Sequence, residues 1–249
     1  RLFFGKPPSE VLSTLPLIYS VCGVAQGCAA AEALEQALAL SVSSEWRKRR
    51  RLLVAFETLK EHLWRIELDW ARYLNRASDS AVISRLVSLM RGFRTTLFPG
   101  AAPFILGGLQ LGVDVAGLKA QMDELERLLE ARVFFRPTQR WLQILERKDL
   151  SQWNRARDTL AQEMLFQVEN GVEAGLGRSR IPALGELDAT YLNQRLTSAD
   201  ADKFIAQPDW LDIPAETTPY TRRRGHPMLC SLGILHGNGL LPRLTARLV

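Results

Sequence analysis

A repeat of apolar residues between positions 52 and 73 constrains the fold of this chain more than any other feature. Leucine, isoleucine and aromatic side chains recur at alternating steps of four and three residues, at Leu52, Phe56, Leu59, Leu63, Ile66, Trp70 and Tyr73. Residues at this spacing lie on one face of an α-helix. The sequence therefore predicts one long amphipathic helix from Ser44 onward, with one side packed against other elements.

Other segments have the same helical character. The stretch from Cys22 to Leu40 is rich in alanine and has high helix propensity. Further helices are expected after Pro7 with Ser9 as the N-cap, at about 81–92 after a break at 77–80, at 118–129, at 160–168 opened by a capping box at Asp149 and Gln152, and near 198–205. Strand-like alternation is nearly absent, and Arg132–Arg136 is the one modest candidate. We predict a mainly α fold with little β, as a single domain over residues 1–249.

The composition excludes several classes of protein. Apolar runs are all too short for a membrane span, and three sparse cysteines favour a reducing cytoplasm over a disulfide scaffold. The net charge is +5, and its basic clusters at 47–51 and 222–224 lack interleaved aromatics, which argues against nucleic-acid binding. These clusters are interpreted either as solvated faces or as docking sites for an acidic partner. Because the chain begins without Met and stops inside an amphipathic segment, we expect truncation at both ends.

Common enzyme signatures are also missing from the sequence. It contains neither a phosphate-binding loop, nor a dinucleotide fingerprint, nor a His-Glu-x-x-His motif, nor a nucleophile elbow. With three histidines in the whole chain, a histidine-built metal site is not expected.

The segment from Leu17 to Cys28 is the most unusual part of the sequence. Cys22 and Gln26 are four residues apart, and Ala29 and Ala33 continue the same face if a helix already runs there. Two interpretations stay open on chemistry alone: an alanine-rich packing face with an inert cysteine, or a thiolate ligand for a metal such as iron. The other two cysteines, Cys28 and Cys230, are both interpreted as packing residues.

This segment resembles, in a degraded form, the amino-terminal motif of nickel-iron hydrogenase large subunits, Arg-Ile-Cys-Gly-Ile-Cys followed by a histidine, an alanine pair and a glutamate. In the register that matches the most positions, Tyr19 stands at the first cysteine and Cys22 at the second. Gln26 then stands at the histidine and Glu35 at the glutamate.

Similar likenesses continue along the chain. Glu61–Trp70 resembles the large-subunit helix that ends in Leu-Asp-Trp, and Glu216–Arg222 resembles its Gly-Pro-Leu-Ala-Arg segment. Together with Phe4–Leu12, His226-Pro227 and Gly239–Leu248, the pattern resembles hydrogenase expression/formation proteins of the HupK/HoxV type, which are large-subunit homologues that act in maturation. This resemblance implies a large-subunit-like helical fold. The carboxy-terminal cysteine motif of the family is not in this chain.

The resemblance implies a function that is not enzymatic: a maturation scaffold that transiently holds the Fe(CN)2(CO) unit and transfers it to the hydrogenase large subunit. Cys22 matches the cysteine that bridges the two metals and touches iron, whereas Tyr19 replaces a nickel-only ligand. Gln26 and Arg222 would donate hydrogen bonds to the cyanides. Implied partners are a small cofactor chaperone, the cyanide/carbonyl-delivery complex and the large subunit. Two alternatives are a divergent catalytic large subunit or quinone-linked oxidoreductase subunit, and a metal-free interaction protein.

Overall fold

A computed structural model of the protein is built from helices. It describes residues 2–171, 181–184, 187–211, 213–217, 223 and 225–231. Within these residues there is no β-strand, and the β-type pairing consists of isolated bridges from Ala183 to Glu216 and from Trp210 to Ile213. The prediction of a mainly α fold is therefore confirmed.

The chain divides into two compact units. The first comprises Arg1–Thr138 and Thr159–Ala161, and the second comprises Gln139–Asp158 and Gln162–Val249. The single hydrogenase large-subunit-like domain expected from the sequence stays a prediction.

The first unit contains the long helix that the apolar repeat predicts. Its helices are α1 (Pro8–Ile18), α2 (Gly23–Ala37), α3 (Ser44–Trp64), α4 (Ala71–Tyr73), α5 (Ser80–Leu97) and α6 (Val115–Leu129). A π-helical segment, π1 (Arg65–Trp70), joins α3 to α4, and a second one, π2 (Glu130–Phe134), follows α6. Helical structure thus continues from Ser44 to Tyr73, so the predicted long helix is confirmed.

The core of this unit lies between α3, α5 and α6. The inward face of α3 presents Leu53, Phe56 and Leu63, which pack against Leu86 and Phe93 of α5. The rings of Phe56 and Phe93 stack with their centroids 3.6 Å apart. Burying each such side chain stabilises the fold by about 1.5–3 kcal/mol, so this seam fixes α3 as the central support of the unit.

Of the helix starts predicted from capping residues, one is confirmed and two are wrong. The Asp79 side chain accepts hydrogen bonds from the backbone N–H groups of Ala81 and Val82, and it caps α5 as the break at 77–80 suggests. The predicted Ser9 cap is wrong: α1 begins at Pro8, since a proline lacks the N–H that would be unsatisfied in a first turn. The predicted capping box at Asp149 and Gln152 is also wrong, because both residues lie inside a separate helix.

The strand candidate Arg132–Arg136 is wrong, and an ion pair with a buried carboxylate explains why. Most of this segment belongs to π2, whose Arg132 reaches the fully buried Glu67 of π1. Arg132 donates from Nε at 3.1 Å and from Nη2 at 2.6 Å to the two carboxylate oxygens of Glu67. The apolar alternation around Arg132 is therefore overridden by a tertiary charge pair between two helical segments.

The structure describes six further helices. They are α7 (Thr138–Trp141), α8 (Arg147–Asn154), α9 (Leu160–Gly171), α10 (Ala189–Thr197), α11 (Ala201–Ala206) and a last one at Pro227–Ser231. In the second unit Glu169 of α9 ties α8 in place, accepting hydrogen bonds from Ser151 Oγ at 2.7 Å and Asn154 Nδ2 at 2.9 Å. The helix expected near 198–205 is confirmed as α11, whereas α10 was not predicted.

Among the described residues, none of the helices has both the length and the apolar character that crossing a membrane requires.

Candidate functional site

The turn between α1 and α2 presents Cys22. A Cβ at Gly23 would collide with the carbonyl oxygen of Pro16, so glycine is what allows α2 to start this close to α1. Cys22 is the N-cap residue of α2 and is half-buried, while Tyr19 follows the last residue of α1 and is 43% exposed. Both residues that the sequence analysis placed at cysteine positions of the motif therefore lie in one turn.

A buried carboxylate holds the start of α2. The backbone N–H groups of Val24 and Ala25 donate to Oε1 and Oε2 of Glu57, at 2.7 and 2.9 Å. These N–H groups have no partner within their own helix, and a negative charge stabilises a helix N-terminus. Since Glu57 lies on α3, this contact fixes the position of Cys22 relative to the core. Glu57 is not predicted from the sequence, because a lone glutamate beside the apolar face of α3 gives no signal of its own.

Cys22 and Gln26 are brought together as their spacing predicts. The Gln26 backbone N–H donates to the Cys22 carbonyl oxygen at 2.9 Å, and its side-chain Nε2 donates to Cys22 Sγ at 3.9 Å. Both residues are half-buried, and Ala29 and Ala33 on the same face are exposed. The interpretation of this face as a packing surface is therefore wrong, since Gly23, Gly27 and Ala31 on another face form the buried side of α2.

Cys28 shows the opposite behaviour, as expected of a packing residue. It is buried beside Leu12, Ala31 and Phe104, and its Sγ donates to the Arg50 carbonyl oxygen at 4.0 Å. Burial raises the pKa of the Cys28 thiol to about 12. Because metal ligation and nucleophilic attack need the thiolate, Cys28 is chemically inert in the folded chain.

Cys230 differs from its predicted role. Its side chain is exposed, and its short helix at Pro227–Ser231 contains no buried residue. The packing interpretation of Cys230 is therefore wrong.

A buried ion pair joins the last turn of α2 to α3. Arg50 donates from Nη1 and Nη2 to Glu35 at 2.8 and 2.9 Å, in bidentate geometry. The same guanidinium donates to the carbonyl oxygens of Pro103 and Ile105, both at 2.8 Å, and Glu35 Oε1 accepts from Gly107 N–H at 3.1 Å. Glu35 and Arg50 therefore hold the irregular segment 103–107, a role that sequence reasoning did not find.

The basic cluster at 47–51 is divided between surface and interior. Arg47, Lys48 and Arg51 are exposed, whereas Arg49 and Arg50 are buried. Arg49 donates to the carbonyl oxygens of Leu97 at 3.1 Å and Leu111 at 2.6 Å. Both sequence interpretations of the cluster, a solvated face and a docking site, are wrong for its two buried arginines.

The remaining predicted site residue, Arg222, lies outside the described residues. In the part of the chain that is described, no group of three or more His, Cys, Asp or Glu side chains is arranged to hold a metal ion. The site around Cys22 thus offers the thiol of a half-buried cysteine, one side-chain amide and a helix start held by Glu57.

Three curated proteins match part of the chain. They are the hydrogenase expression/formation proteins HupK of Rhodobacter capsulatus (38% identical over 76 residues), HoxV of Cupriavidus necator (40% over 74) and HupV of Azotobacter chroococcum (36% over 70). The chain resembles hydrogenase expression/formation proteins. The matches cover 28–30% of this chain and only 19–22% of the length of those relatives.

The resemblance inferred from the sequence motifs is thereby confirmed for that share of the chain. No protein-family profile matches the chain. No solved structure matches it either, and the large-subunit-like fold therefore stays a prediction.

Proposed function

We propose that this hydrogenase expression/formation-like chain is a non-catalytic maturation scaffold that holds the Fe(CN)2(CO) unit and passes it to the hydrogenase large subunit. The observation that carries the proposal is the half-buried thiol of Cys22, held at the start of α2 on a helix face that points away from the core. The similarity to three proteins named for hydrogenase expression and formation supports the same role.

A single sulfur suits cargo that must leave again. Thiolate is a soft ligand that binds iron, and the iron unit brings two cyanides and one carbonyl of its own. One protein ligand then holds the iron without completing its coordination. This is the arrangement expected of a carrier, and a resident metal centre would need more ligands from the chain.

Gln26 supplies orientation in this proposal. Its amide is close enough to donate to the sulfur of Cys22, and the same N–H would donate to the nitrogen of a cyanide on iron held by that sulfur. An amide does not titrate, and the side chain would hold the unit without transferring protons. Arg222 is proposed as a second donor to cyanide, since guanidinium N–H groups suit that acceptor.

The proposal extends to the surroundings of the protein. Its partners would be a small cofactor chaperone, the cyanide/carbonyl-delivery complex and the large subunit that receives iron, all in the cytoplasm. Tyr19 supports a carrier over an active hydrogenase, since a phenol stands where the motif has a cysteine that binds nickel.

Infrared spectroscopy tests the proposal. The full chain is purified without oxygen from cells that make the hydrogenase maturation machinery, alongside Cys22→Ala and the matched control Cys28→Ala. We expect cyanide and carbonyl stretching bands in the parent and in Cys28→Ala, and loss of both in Cys22→Ala. Equal bands in all three proteins would refute ligation at Cys22, and silent spectra in all three would favour a metal-free interaction protein.

A further inference from the structure

A groove in the first unit provides a second surface next to the site. It runs between α1 and the segment 102–106 and encloses about 580 Å³. Leu12 and Phe104, both buried, form its floor, while Pro16, Leu17 and Ile105 line its sides. Its volume and mostly apolar lining are typical of sites that bind a ligand or a partner side chain.

The groove is preformed by contacts beneath it. Arg50 and Glu35 hold the backbone of segment 103–107, as described above. Phe104 packs so tightly on α2 that a Cβ at Gly27 would lie 2.7 Å from its ring. Because the floor is fixed from below, the groove does not need to be opened by its occupant, which reduces the entropy cost of binding.

One cation borders this apolar surface. Arg94 of α5 lines the groove and is exposed, and its guanidinium makes no hydrogen bond or ion pair with any residue that the structure describes. The other polar lining residues are Ser9 and Ser13, so the described lining contains no acidic side chain. Charge complementarity therefore favours an occupant that places a carboxylate beside Arg94.

The apolar surface also extends from the groove to the site. Leu17 is 80% exposed, and Ile18, Tyr19 and Val21 are 43–50% exposed along the turn that leads to Cys22. Contiguous exposed apolar side chains of this kind mark protein–protein contacts. A small molecule filling the groove would leave this strip uncovered, whereas a protein would cover both.

We propose that the groove docks a segment of a partner protein in which a carboxylate flanks bulky apolar side chains, and that the bound partner also covers the turn at Cys22. The apolar side chains enter between α1 and segment 102–106, and the carboxylate pairs with Arg94. The identity of the partner rests on the proposed function: it is the hydrogenase large subunit that accepts the iron.

Peptide binding tests this proposal. Fluorescently labelled overlapping peptides of the large-subunit precursor are titrated against the full chain, and anisotropy is measured. We expect an acidic, leucine- or phenylalanine-containing peptide to bind. Arg94→Glu should weaken it about tenfold or more, whereas the matched control Arg91→Glu, exposed on the same helix, should leave it unchanged. Replacing the peptide carboxylate with lysine should restore binding to Arg94→Glu.

Other outcomes would overturn the proposal. One such outcome is that no peptide binds, and another is that binding is insensitive to both Arg94→Glu and Leu17→Asp. Binding of the fatty acid dodecanoate in the groove in place of a peptide would also overturn it, as would self-association of the parent chain through Leu17. Infrared bands separate peptide docking from the proposed binding of the iron unit. Cys22→Ala should lose the cyanide and carbonyl bands but keep peptide binding, whereas Arg94→Glu should keep the bands but lose peptide binding. Unchanged thermal unfolding of the Arg94 variant establishes that it is folded.

Discussion

The two cysteines at the start of α2 are six residues apart in sequence and occupy opposite environments. Cys22 lies at the N-cap on an outward face with a glutamine amide beside its sulfur. Cys28 lies among apolar side chains, with its pKa raised to about 12 by burial. The difference shows that the two faces of α2 have different roles. The outward face presents a thiol that can react, and the inward face packs against the rest of the first unit.

The contacts of the inward face of α2 explain why its outward face need not pack against the protein. Gly23 and Gly27 bring α1 and Phe104 close to α2, and Glu35 in the last turn of α2 pairs with Arg50 of α3. These contacts satisfy the packing needs of the helix. We therefore expect substitutions at Cys22 or Gln26 to cost little stability.

Thiol reactivity should give the largest difference. At equal pH, raising a pKa from 9.0 to about 12 lowers the thiolate population about a thousandfold, and burial further limits access. We expect alkylation of Cys28 in the native chain to be at least about a hundredfold slower than alkylation of Cys22. Mass spectrometry of peptides labelled before and after unfolding measures the ratio. Comparable rates would remove the distinction between the two faces.

Removing the buried carboxylate should cost the most stability. Glu35→Ala leaves Arg50 as an uncompensated buried charge, and we expect a loss of about 3–5 kcal/mol in the free energy of unfolding. Urea denaturation measures this loss. Glu32→Ala, on the same helix, is the matched control and should change stability by less than about 0.5 kcal/mol. Similar costs for the two variants would mean that the inward face is not supported by this pair.

The cap from α3 should matter less than the buried pair. Glu57→Ala frees the N–H groups of Val24 and Ala25, and we expect a cost of about 1–2 kcal/mol. Hydrogen exchange at these two amides should accelerate more than exchange in the middle of α2. Glu61→Ala, one turn later on α3, provides the comparison. Exchange that is unchanged in Glu57→Ala would show that Cys22 is positioned by other contacts.

The second unit offers a pH-dependent test. Burial raises the pKa of Glu169, but hydrogen bonds from Asn154 and Ser151 and the charge of Arg147 outweigh this effect. The net result is a pKa below the ordinary value of 4.5. A lowered pKa stabilises the fold above the ordinary value, and this contribution is lost as pH falls through the folded-state value. Glu169→Gln should cost about 1 kcal/mol at pH 7 and show a shallower loss of stability below about pH 4.5. Parallel stability–pH curves for both proteins would contradict this.

The smallest expected effect on stability is at the site itself. Cys22→Ser keeps the size and an acceptor at the N-cap, so the free energy of unfolding should change by less than about 0.5 kcal/mol. Thermal or urea unfolding measures it beside Cys28→Ser, which buries a hydroxyl among apolar groups and should cost more. If Cys22→Ser is the more damaging change, Cys22 has a packing role after all.

The sequence predicts what depends on local periodicity. The apolar repeat predicts the helix through α3, π1 and α4, and the spacing of Cys22 and Gln26 predicts their contact. It does not predict pairings between distant residues. Glu67 pairs with Arg132, 65 residues away in sequence, and this contact overrides the strand-like pattern around Arg132. Glu35 pairs with Arg50, 15 residues away, and buries an arginine of a cluster that the sequence places at the surface.

X-ray absorption at the iron edge tests directly whether Cys22 binds iron, because it reports the atoms bound to the metal. Iron-loaded full chain is compared with Cys22→Ala and Cys28→Ala prepared in the same way. We expect an iron–sulfur shell in the parent and in Cys28→Ala that is missing from Cys22→Ala. An unchanged sulfur shell in Cys22→Ala, or its loss in Cys28→Ala alone, would contradict the assignment of Cys22 as the iron ligand.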